Sequence, residues 1–218
     1  MTTFTLEKTF DTHVELSENV TAVANMFGLG TRRDRPLTVI DNCQIRIEPG
    51  QVVYITGGSG AGKSLVLNLL KEQLLEDAET PEKIIDLNEQ PLPKGKPLVD
   101  CFGKAKLSKS LYWLSMAGLS DAFALLRRPE QLSDGQRYRF RLALALAQQP
   151  QVIFIDEFCA TLDRVTAAVV AHNVRKFADR FQTTFIVATS HDDILEDLSA
   201  DVVIIKHLGS GCDVYYPK

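Results

Sequence analysis

Two short, almost continuous apolar runs stand out along the chain, Val52–Thr56 and Val152–Ile155, each the length of a strand covered on both faces of a sheet. Residues 37–40 and 44–47 predict two further strands, and Glu48-Pro49-Gly50 reads as a tight turn into the first run. Residues 64–76 carry Leu65, Leu69 and Leu70 at helical spacing. Residues 77–106 are loop-rich, with prolines at 81, 91, 93 and 97, and helical spacing returns over 107–126 through Leu111, Leu114, Leu119 and Phe123. Another helix is predicted from Ser133 to about Gln148, stopped by Pro150, and one more from Arg164 to Phe181. Strands at Thr184–Ala188 and 202–205 complete the pattern, while residues 1–30 only mix short apolar and polar stretches. Strands alternating with helices predict an α/β fold with a mostly parallel sheet and flanking helices. We expect one domain over 1–218, with an antiparallel N-terminal β part and a short helical lobe at about 77–132.

A chain of 218 residues, 45% hydrophobic and 24% charged, has enough apolar material for a core that needs no disulfide. Cys43, Cys101, Cys159 and Cys212 are scattered without a Cys-x-x-Cys pair, the pattern of reduced thiols in a cytoplasmic protein. The net charge of −4 gives no overall attraction to nucleic acid or an acidic membrane. No run approaches eighteen apolar residues, and the N-terminal stretch lacks the basic start of a signal peptide. Any contact with a membrane is therefore expected through a partner.

Chemistry enters at Gly57-Gly58-Ser59-Gly60-Ala61-Gly62-Lys63-Ser64, which matches G-x-x-x-x-G-K-[ST] between an apolar strand and an amphipathic helix. Glycines let successive backbone N–H groups curl around phosphate oxygens, and the helix start adds positive potential. Lys63 is expected to reach the β- and γ-phosphates, and the Ser64 hydroxyl to ligate Mg²⁺. The run Val152–Ile155 ends in Asp156-Glu157. An acid at that strand edge is where phosphate-loop proteins hold Mg²⁺, so Asp156 is the metal candidate and Glu157 the group that polarises the attacking water. The fold class is thereby narrowed to the P-loop NTPase type.

Leu132-Ser133-Asp134-Gly135-Gln136 contains a capping box, S-x-x-Q, that opens a helix and so creates a second anion-binding helix start. A simple kinase has no use for two, whereas a surface that grips the nucleotide of another subunit does. At these residues the sequence closely resembles the ABC ATPase family. The run from this signature through Asp156-Glu157 to Ala160-Thr161-Leu162-Asp163 has the family's order, and the resemblance covers roughly residues 27–206. It implies ATP and Mg²⁺ as ligands and a head-to-tail homodimer closing on two ATP molecules through Ser133, Gly135 and Gln136. It also implies His191 as the switch histidine at the γ-phosphate, and Phe27, or else Phe10, as the aromatic stacking on adenine. Gln90 is the candidate for the glutamine that senses Mg²⁺ and water. Asp163 is expected as a helix N-cap, a dimer contact, or both.

Asp134 stands in place of the usual glycine, Phe158 in place of the usual proline, and only about seventy residues separate Lys63 from Ser133. These departures favour a soluble ABC-type ATPase that moves a partner protein or complex, with the ATP-binding subunit of a membrane transporter as the alternative. A small-molecule kinase fails on the signature, and no coiled-coil arm fits between Gln90 and Leu132. Arg127, Arg128, Arg137, Arg139 and Arg141 flank the signature and read as a solvated face with local ion pairs, which leaves nucleic acid a possible partner without support.

Overall fold

The computed structural model describes residues 2–13, 17–28, 34–190 and 192–217. Strand β1 (Thr2–His13) pairs antiparallel with β2 (Asp34–Ile47) as a separate two-stranded sheet, and helix α1 (Glu18–Met26) lies between them in sequence. The strands expected at 37–40 and 44–47 are one strand. A register shift opposite Glu7 absorbs Asp41 and Asn42, with Asn42 in the left-handed region at φ 44°, so the chain bends without breaking the ladder.

The main sheet has the order β4-β5-β6-β3-β7-β8, with β3 at Val52–Thr56, β4 at Ile84–Asp86, β5 at Val152–Ile155, β6 at Thr184–Ala188, β7 at Val202–Lys206 and β8 at Cys212–Tyr215. Every pairing is parallel except β7 with β8. Helices α2 (Lys63–Glu76), α5 (Asp134–Ala147) and α6 (Arg164–Phe181) cover it, joined by α3 (Leu107–Met116), α4 (Ala122–Leu125) and α7 (Leu195–Leu198).

Strand periodicity divides the interior in two. Val52 and Tyr54 of β3, Phe185 and Val187 of β6, and Ile153 and Ile155 of β5 face a core shared with α3, α5 and α6. Val53, Ile55, Ile186, Ala188 and Phe154 face the opposite core, closed by α2 and by Phe4, Leu6, Ile40 and Ile45 of the small sheet. Helix α6 meets the first core along Ala167, Val170, Ala171, Val174, Phe177 and Ala178, the stripe that three- and four-residue spacing dictates. Trp113 of α3 joins Phe177 and Phe181 at ring separations of 6.0 and 5.9 Å, and this aromatic cluster fastens the lobe to α6.

The single helix expected over 107–126 is two. Ala117 caps α3, Gly118 turns the chain at φ 78°, and Asp121 restarts it by accepting the Phe123 N–H at 3.0 Å. The loop expected at 77–106 contains β4, which pairs with β5 and belongs to the main sheet, so the helical lobe begins after it.

Candidate functional site

The segment from β3 to α2 owes its path to glycine. Gly57 has φ 144°, and a Cβ there would overlap the Lys206 carbonyl oxygen of β7, so the position is closed to any side chain. The loop closes on itself through Ala61 N–H to Gly58 O at 3.1 Å. Helix α2 then starts on Gly62 without a side-chain cap, whereas α5 and α6 are capped by Ser133 and Asp163. The first-turn N–H groups of α2 therefore offer their partial positive charge to an entering anion. Lys63 Nζ donates to the carbonyls of Gly57 and Gly58 at 2.9 and 3.1 Å, which holds the ammonium against the loop, and Ser64 is exposed at the same helix end.

The carboxylates follow β5, two strands from β3 with β6 between. Asp156 Oδ1 accepts the Glu157 N–H at 2.9 Å. Glu157 and Cys159 both adopt left-handed backbone, φ 55° and 60°, around Phe158. This double reversal turns the Glu157 side chain out to solvent while Phe158 is fully buried. Two contacts hold it: Phe158 N–H donates to Ala188 O of β6 at 2.9 Å, and Cys159 N–H donates to Tyr138 Oη of α5 at 3.2 Å. A proline at 158 would have no N–H to give to this bond.

At the start of α5 the capping box is formed: Ser133 Oγ accepts from Gln136 N–H at 3.3 Å, and Gln136 Oε1 from Ser133 N–H at 3.1 Å. Gly135 is needed for close approach, because a Cβ there would lie 3.1 Å from Thr161 O. The carboxylate of Asp134 is paired with Arg137 at 2.9 Å, which offsets its charge on the signature surface. Asp163 caps α6 by accepting from Thr166 N–H at 3.0 Å and Thr166 Oγ1 at 2.6 Å, and the Thr166 hydroxyl bond holds its carboxyl below the usual range.

A cleft of about 340 Å³ brings Asp156 and Glu157 together with Asp134, Arg137, Tyr138, Arg141, Thr161 and Asn88. Arg137 and Arg141 line this cleft together with the carboxylates, and Arg137 makes with Asp134 a local ion pair of the kind expected on this face. Gln90 lies elsewhere. It accepts from Gln148 Nε2 at 3.1 Å in a second cleft, of about 520 Å³, between the lobe and α5. The reason is register: β4 ends at Asp86, Leu87 is buried with its N–H on Phe154 O, and the amide that reaches the carboxylate cleft is Asn88. Asn88 carries no signal of its place in the cleft, because the three residues of β4 that position it carry no strand signal of their own. Tyr138 carried no signal beyond its place two residues after Gln136.

Phe27 is the C-cap of α1 and 74% exposed, and Phe10 on β1 is also exposed. His191 and residues 29–33 lie outside the described residues.

A family model described as ABC transporter matches residues 40–160. The methionine import ATP-binding protein of Shouchella clausii is 26% identical over 205 residues, 79% of this chain and 58% of its own length. An aliphatic sulfonates import ATP-binding protein of Albidiferax ferrireducens is 32% identical over 145 residues, 59% of this chain and 51% of its own. The chain spans less than three fifths of the length of these relatives. Among solved structures, a bacterial ABC transporter cassette in dimeric form superposes with a TM-score of 0.66 at 21% identity, over 84% of this chain and 93% of the other. A dimeric post-hydrolysis state of a cassette bound to ADP and Pi gives 0.69 at 20% identity, over 100% and 99%. At these identities the likeness is one of fold.

Proposed function

The chain belongs to the ABC transporter ATP-binding family, whose model spans more than half of it, and we propose that it binds and hydrolyses ATP as the energy-supplying subunit of a membrane importer. The observation that carries this reading is the pairing of an uncapped, glycine-built phosphate loop on β3 with the outward-turned Glu157 on β5 of the same sheet.

The residues of the 57–64 loop cradle the phosphates by backbone N–H groups, and Lys63 moves from its loop carbonyls to the β- and γ-phosphates. The donor set fits Mg²⁺: Ser64 would supply a hydroxyl, and Asp156, with one oxygen on the Glu157 N–H, would have the other carboxylate oxygen to offer. When bound, Mg²⁺ neutralises charge developing on the phosphate oxygens. Glu157 orients the attacking water and takes up its proton, and Asn88 hydrogen-bonds within the same cleft. Phe27 or Phe10 offers an exposed ring to adenine, and His191 contacts the γ-phosphate. Ser133, Gly135 and Gln136 of a second copy complete each site at the far side of the nucleotide, with Asp163 at the dimer contact as well as capping α6.

The relatives are import proteins by name, which favours a membrane permease as partner over the soluble complex expected from the sequence departures. Among the described residues no helix is long and apolar enough to cross a membrane. The cleft beside Gln90, lined by Phe102, Trp113 and Leu144, gives the short lobe a place to receive a permease segment.

Glu157→Gln keeps size and hydrogen bonding but removes the charge that polarises water. With Mg-ATP it should accumulate as a dimer by size exclusion with light scattering, and adding Ser133→Arg should return it to a monomer that still binds ATP. A Glu157→Gln protein that stays monomeric at saturating ATP refutes the head-to-tail site.

A further inference from the structure

Cys43 of β2 and Cys212 of β8 are 169 residues apart in sequence, yet their sulfur atoms meet at 2.7 Å where the two sheets adjoin, with the Cys43 S–H donated to Cys212. Cys43 is buried and Cys212 partly exposed. A bridging metal does not fit this spacing, because two thiolates on a tetrahedral zinc lie about 3.8 Å apart. Among the described residues no third His, Cys, Asp or Glu completes a metal group there.

We propose that Cys43 and Cys212 are a peroxide-sensitive dithiol pair whose oxidation gives an intramolecular disulfide tying β2 to β8 behind the phosphate loop. The setting explains both the chemistry and the place. Cys212 pairs across the ladder with Lys206, whose buried ammonium donates to the carbonyls of His207 and Gly209 at 2.6 Å each. Cys212 is the member that solvent reaches, and the bond from Cys43 and the charge of Lys206 lower its thiol, so Cys212 meets the peroxide first. The other two thiols are protected: burial raises Cys101 and pushes Cys159 up to about 12.

The Cys212 thiolate attacks one peroxide oxygen, the O–O bond breaks and hydroxide leaves as water, giving a sulfenic acid. Cys43 sulfur then attacks Cys212 sulfur, the S–O bond breaks, and a second water leaves as the S–S bond forms. Two thiols lose two electrons and one peroxide becomes two waters. The bond lies beside the loop, since a Cβ on Gly62 would meet Val39 of β2 at 3.5 Å and, at 3.8 Å, Lys206 of β7, the ladder partner of Cys212.

The test treats the full chain with hydrogen peroxide, alkylates remaining thiols and maps the peptides. The expected result is a cross-linked Cys43–Cys212 peptide that dithiothreitol releases, with Cys101 and Cys159 still alkylated. Closing so long a loop should raise Tm on the order of 10 °C. Cys212→Ser and Cys43→Ser should each abolish cross-link and shift, and the wild-type peptide map decides should either variant fold poorly. Oxidation at Cys101 or Cys159 first, a cross-link between two molecules, or Cys212 oxidised to sulfinic acid without Cys43 would each overturn the proposal.

Discussion

Deleting one hydroxyl, by Tyr138→Phe, tests whether the carboxylate turn is held from the signature helix. Tyr138 Oη accepts the N–H of Cys159, a residue 1% exposed, so in the variant that N–H loses its acceptor. A buried donor left unpaired costs about 1–3 kcal/mol. Burial pushes the Tyr138 phenol well above its ordinary value, so the group is neutral and its removal adds no charge effect. Glu157 and Cys159 each sit in left-handed backbone, a conformation costing roughly 1–2 kcal/mol per residue, and the Tyr138 bond helps to keep both there. We expect a stability loss of about 2 kcal/mol, a fall in Tm of roughly 4–8 °C for a domain of this size. As the turn relaxes, Glu157 loses its aim, and 1–2 kcal/mol at the transition state lowers kcat by about 5–30-fold. Nucleotide affinity should not change, because the cleft that Tyr138 lines takes in no residue of the 57–64 loop. Calorimetry, steady-state phosphate release and a nucleotide titration read the three quantities. Unchanged Tm and kcat would refute the reasoning, and weakened nucleotide binding with intact kcat would move the role of Tyr138 to the cradle.

Lys63→Ala removes the loop's ammonium and should abolish ATP binding while circular dichroism stays that of the parent; near-normal turnover contradicts the phosphate-loop assignment. Asn88→Ala should reduce kcat by at least tenfold, whereas Gln90→Ala should leave phosphate release by the isolated chain within about twofold; the reverse ranking returns the water-sensing role to Gln90. Arg175 of α6 holds Asp201 at 2.6 Å, Asp179 at 2.5 Å and the Gly50 carbonyl at 3.1 Å, with only 15% of its side chain exposed. Its replacement by alanine should cost about 2–3 kcal/mol in a denaturant titration, below the fully buried range because both carboxylates keep some water; a change within error would show that the clamp is idle.

The central α/β frame was legible in sequence because its signals are local. Val152–Ile155, Arg164–Phe181 and Thr184–Ala188 coincide with the elements read from apolar runs and periodicity, and the capping box at Ser133 formed as its residues dictate. Strands completed by distant partners were not legible. β8 is short and half exposed and exists through its pairing with β7, and β4 has three residues made into a strand by β5. Helix α1 carries Val20, Val23 and Ala24 at helical spacing but buries none of its residues, so its stripe is short and unsupported by packing. Asn88 was lost with β4, and no local pattern joins Cys43 to a residue 169 positions away.

The place of β6 between β3 and β5 makes the sheet a gauge for the reaction. Neighbouring strands lie about 4.8 Å apart, so the ends that carry the phosphate loop and Glu157 are set about 10 Å apart. The ladder continues past the strand ends, with Phe158 N–H on Ala188 O and Thr189 N–H on Ile55 O, so the teeth of the gauge are fixed where the chemistry occurs. The strand spacing is set by backbone hydrogen bonds, so Lys63→Ala or Glu157→Gln can disarm one tooth while the gap between them stays the same.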